Sequence, residues 1–97
     1  MNMKDLAQHL KMLIDSDQSL AHHWLNFAAE CKANNDNLKL RRRLKEYLNE
    51  CIDRHVVGDK EYLIRDTLGE VFNDPVLLNS LTSMLWEDEG VDEILNE

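Results

Sequence analysis

Apolar residues recur at helical spacing through most of this chain. The longest such stretch is Asn37–His55, where Leu40, Leu44, Tyr47, Leu48, Cys51 and Ile52 fall at i, i+4, i+7, i+8, i+11 and i+12. That period describes one buried helical face held for about four turns. A second stripe, Met3, Leu6, Leu10, Leu13 and Ile14, predicts a helix over residues 2–14 with Lys4, Gln8 and Lys11 outside. A third, Leu20, Trp24, Phe27, Ala28 and Cys31, predicts one over 18–33. Ile64, Leu68, Val71 and Phe72 place an inward face on residues 60–72, with Tyr62 and Leu63 at its margins. Leu77, Leu78, Leu81, Met84 and Leu85 do the same for 75–87.

The polar breaks agree with these limits. Asp15-Ser16-Asp17 stops the first helix and supplies the cap of the second. Asn34 to Asn37 is a plain interruption, with Asp36 or Asn37 suited to cap the central helix. Gly58 suits the left-handed position past a helix end, and Asp59 the next cap. Asn73-Asp74-Pro75 puts a cap residue before a proline at the first helical position. Gly69 weakens its helix unless a close neighbour needs the space. Gly90 breaks the chain before a short amphipathic turn over 91–95. Short loops favour antiparallel neighbours, so the expected fold is all-α: a compact bundle of about five helices with a short C-terminal helical turn. Residues 1–97 are read as a single helical domain, long enough for one modest core.

Composition narrows the functional classes. With 43% hydrophobic and 31% charged residues the chain is globular. No apolar run approaches the ~20 residues of a membrane span, and no leader pattern opens the chain, so a cytoplasmic location is expected. The net charge of −8 argues against direct nucleic-acid binding, which draws its affinity from neutralised phosphates. It argues equally against an anionic membrane surface. It suits attraction to a basic protein surface.

Candidate chemistry is sparse. Cys31 and Cys51 lie on apolar faces and read as buried small hydrophobes rather than a disulfide or redox pair. Adjacent His22 and His23 point about 100° apart on a helix, and neither His9 nor His55 has a ligand partner at the right spacing. No glycine-rich loop or nucleophile elbow occurs. No catalytic activity, metal or cofactor is expected.

Two charged features remain. Lys39, Arg41, Arg42, Arg43 and Lys45 crowd the first turns of the central helix, where the macrodipole disfavours cations. They read as counter-charges for acids of the C-terminal half, or as an alternative binding face. Residues 1–58 carry 9 bases and 8 acids, whereas 59–97 carry 2 bases and 11 acids. The surplus is densest where Trp86, Glu87, Asp88, Glu89, Asp92 and Glu93 alternate acids with apolar residues. Trp86 falls off the stripe of its helix. An exposed tryptophan ringed by carboxylates would anchor a basic partner, while the same ring folded back would cover the bundle end.

The expected function is therefore that of a non-enzymatic protein-binding inhibitor. It would occlude the basic, nucleic-acid-binding surface of a larger partner, such as a nuclease or nucleic-acid-processing complex. By size and charge it is comparable with immunity proteins, antitoxins and phage-encoded anti-defence proteins. Two other readings are a nucleic-acid-associated regulator using the Lys39 to Lys45 face, and a structural homo-oligomer pairing the arginines with the acidic half of another copy.

Overall fold

The computed structural model describes residues 2–55 and 69–97, with 52–55 described by their helical backbone alone. The helices are α1 (Met3–Ser16), α2 (Gln18–Ala33), α3 (Asn37–His55), α4 (Pro75–Trp86) and α5 (Glu89–Leu95), and residues 69–72 are also helical. No strand occurs among the described residues. The fold is an all-α bundle. Expectations that rested on Ile52, Gly58, Asp59, Tyr62, Leu63, Ile64 and Leu68 lie outside the described residues.

Each start is set by a side chain that accepts a free backbone N–H. Asn2 accepts from Asp5 N–H at 2.8 Å, Asp17 from Leu20 N–H at 3.0 Å, and Asp36 from Lys39 N–H at 3.1 Å. Asp74 accepts from Val76 N–H at 2.8 Å, with Pro75 at the first helical position. Asp17, Asp36 and Asp74 are the anticipated caps, while Asn2, expected inside the first helix, caps it instead; each contributes about 1 kcal/mol. Asn35 takes a left-handed φ of 51° between α2 and α3, which an asparagine tolerates better than most residues.

The core runs through all five helices. Trp24, Ala28 and Cys31 of α2, Leu40, Leu44 and Leu48 of α3, and Leu77, Leu78, Leu81 and Leu85 of α4 are buried. Trp24 meets the rings of Tyr47 and Phe27 edge-on, at 5.3 and 6.1 Å between centroids. The Thr82 hydroxyl, buried on α4, donates to the Leu78 carbonyl at 2.6 Å. Gly69 has nothing within 4 Å of where a Cβ would stand, so no neighbour among the described residues needs its space.

Two local expectations are corrected. On α1 the buried residues are Ala7 and Ile14. Leu13, placed on the stripe by spacing, is 52% exposed, and Lys11, placed outside, has a side chain only 12% exposed. The helix is rolled so that Met3, Ala7, Lys11 and Ile14 face inward, which turns Leu13 out. The final break comes at Glu87–Asp88 rather than Gly90, which sits inside the first turn of α5. A Cβ on Gly90 would stand 3.0 Å from Leu25 Cδ1. This glycine therefore lets α5 lie close against α2, and its role is packing rather than chain reversal.

Cys31 is buried, Cys51 half-buried, and both thiols are free. Burial pushes the Cys31 thiol above its ordinary pKa, as for a small core hydrophobe. A reductant should therefore leave the melting temperature of the monomer unchanged; a clear drop in calorimetry would require a bridge.

Candidate protein-binding edge

The acidic stretch forms one edge of the bundle, where α4 ends and α5 folds back. Its carboxylates divide into two groups. Asp88 caps α5 by accepting from Gly90 N–H at 2.8 Å, and its other oxygen receives Lys11 Nζ at 2.6 Å. Lys11 also reaches Asp15 at 2.7 Å. Asp92 receives Lys32 Nζ at 2.9 Å, and the same amine donates to the Trp86 carbonyl at 3.0 Å. That carbonyl belongs to the last turn of α4, where the helix dipole favours a cation.

Electrostatics follow this geometry. Burial by itself would raise the Asp88 pKa, yet the bond from Lys11, the Gly90 N–H and the Lys11 charge together hold it below the ordinary carboxylate value. Burial by itself would lower the pKa of Lys11. Its bonds to Asp15 and Asp88 and their charges outweigh that and hold it above the usual lysine value. Asp88 and Asp92 are thus tied to α1 and α2 and stitch α5 onto the bundle.

Glu87, Glu89 and Glu93 form the second group. All three are exposed, and none has an ion pair with a described residue. Trp86 is half-buried and packed against the core. Of the two readings of Trp86, this packing supports the one in which the ring folds back over the bundle end. The six predicted residues thus differ in their surroundings: lysines hold Asp88 and Asp92, Trp86 packs on the core, and Glu87, Glu89 and Glu93 are exposed.

The basic face is also divided. Lys39 Nζ lies 3.6 Å from Glu30 and 5.8 Å from the centre of the Phe27 ring. Arg41 Nε donates to Asn79 Oδ1 on α4 at 2.8 Å. Arg43 Nη1 stands 3.8 Å from Glu46 and 3.6 Å from Glu50, with its guanidinium 6.0 Å from the Trp24 ring centre. Arg42 and Lys45 are exposed, and neither side chain has a partner among the described residues. The counter-charges for the C-terminal acids therefore include Lys11 and Lys32. Where the described residues show a partner for these arginines, it is Asn79 or a glutamate of α3 itself.

Sequence reading passed over Lys11 and Lys32. Lys11 had a visible signal, since it follows Ala7 by four on the buried side of α1. Lys32 had none, because its partners lie more than fifty positions along the chain. Two concave regions lie elsewhere on the described surface. An apolar cavity of about 170 Å³ lies between Leu10, Ile14, Leu20, Tyr47, Leu48 and Phe72. An open groove passes His22, His23 and Glu30. No group of three metal-ligating side chains converges among the described residues, and none of the described helices is long and apolar enough to cross a membrane. No protein-family model, curated protein or solved structure matches the chain.

Proposed function

We propose that this chain is a non-enzymatic, cytoplasmic inhibitor that binds a larger protein and covers its basic, nucleic-acid-binding surface. The observation that carries this reading is the trio of exposed, uncompensated carboxylates Glu87, Glu89 and Glu93. They stand on an edge whose other acids are held by lysines, in a protein of net charge −8. Fixed acids on a rigid edge steer a cationic surface into register and repel nucleic acid that competes for it. A nucleic-acid-binding role for the chain itself has less support. Three of the five cations at the start of α3 are already engaged, and two free charges release too few counterions for useful affinity.

The test is capture from the native host, followed by competition. The tagged chain should retain a basic protein and displace nucleic acid from it. The triple variant Glu87→Gln/Glu89→Gln/Glu93→Gln should associate roughly tenfold more slowly at low salt, with weaker salt dependence and unchanged helicity. A partner that still holds nucleic acid when saturated with the chain would sink the proposal.

A further inference from the structure

The engaged and free charges separate into two complementary stripes on opposite kinds of helix face. On α3, Leu38, Arg42 and Lys45 fall at i, i+4 and i+7. By the 3.6-residue turn they share one flank of the helix, about 100–160° around from Leu44, whose face with Leu40 and Leu48 is buried. Leu38 is 69% exposed. On α5, Glu89 and Glu93 fall at i and i+4 on the face turned away from buried Val91. Each stripe has spare charge of one sign, and neither is neutralised by a described residue of its own chain.

We propose that the Arg42–Lys45 stripe docks the Glu89–Glu93 stripe of a second copy of this chain, head to tail. Set antiparallel, Lys45 stands opposite Glu89 and Arg42 opposite Glu93. The axial separations are about 4.5 Å for three residues and 6 Å for four, a mismatch that long side chains absorb. The stripes lie on different surfaces, so the contact is heterologous and each copy keeps one free half. Arg42, placed at a helix start where the dipole disfavours it and with no described partner inside the chain, acquires a partner in this way. The inference is independent of the inhibitor reading, although a second copy and a basic partner would compete for Glu89 and Glu93.

Sedimentation equilibrium at low salt and rising protein concentration tests it. The weight-average mass should climb above the 11.4 kDa of one chain. Arg42→Glu/Lys45→Glu and Glu89→Gln/Glu93→Gln should each weaken self-association by about tenfold or more. Mixed in equal amounts they should associate again, because one retains the acidic stripe and the other the basic one, and the mass should stop at two chains. All substituted positions are exposed, and circular dichroism checks that helicity is kept. A wild type that stays monomeric at every concentration overturns the proposal, as do variants that associate like the wild type. Either result leaves binding of a basic partner untouched.

Discussion

Leu44→Ala is expected to lower stability by ~2–5 kcal/mol, the range for truncating a fully buried leucine in a packed core. Leu44 is completely buried at the middle of the α3 stripe, with Leu40 and Leu48 one turn to either side. Helix α3 touches both α2 and α4, so a void at Leu44 removes contacts that neither neighbour can restore alone. A domain of this length has roughly 5–15 kcal/mol in total, and the variant should lose a large part of it. Leu38→Ala on the same helix is the control. Its side chain is mostly in water, so truncation there should stay within about ±0.5 kcal/mol. Chemical denaturation of both reads the difference directly. Equal losses at the two positions would mean that α3 buries another face.

The second large effect concerns Asp88, which performs two tasks with its two oxygens. Asp88→Ala removes both the cap on Gly90 N–H and the ion pair to Lys11, and should cost about 2–3 kcal/mol. Asp88→Asn keeps an oxygen for the cap and loses the charge, so it should cost about 1 kcal/mol less. Because the folded pKa of Asp88 is depressed, its contribution is present above the unfolded carboxylate value, near 4, and is lost as pH falls through the folded value. Lys11, raised in the fold, contributes fully below the unfolded lysine value and loses its share only as pH rises through the still higher folded one. The wild-type advantage over Asp88→Asn should therefore be flat from about pH 5 to 9 and vanish in acid. Melting temperatures of the pair across pH measure it, and an advantage that does not shrink as the pH falls below the unfolded carboxylate value would show that the carboxylate charge is not involved.

Much of the bundle was legible in order along the chain. A helix repeats every 3.6 residues whatever it packs against, so Leu40, Leu44 and Leu48 announced a buried face by spacing alone. Asp17, Asp36 and Asp74 announced helix starts because a cap bonds to N–H groups two or three residues away. Leu77, Leu78, Leu81 and Leu85 were equally plain. The exception on α1 is instructive. A leucine-rich helix offers two overlapping stripes, and the choice between Leu13 and the Ala7–Lys11 side depends on which neighbour it meets.

The candidate site was legible only as composition. That acids crowd the stretch from Trp86 to Glu93 is a property of the sequence, and so is the basic start of α3. Which of those charges stay free is a property of space. Lys11 reaches Asp88 across 77 positions and Lys32 reaches Asp92 across 60, and no local rule links residues so far apart. Trp86 was undecided for the same reason, since its environment is made by helices other than its own. The sequence by itself determined most helix limits, the caps at Asp17, Asp36 and Asp74 and the sign of charge on each stretch, because these depend on bonds and spacings within a few residues. Only the tertiary structure decided that Asp88 and Asp92 fasten α5 while Glu87, Glu89 and Glu93 face outward. Charge neutralisation acts over a few ångströms, and the folded chain alone sets which groups come that close.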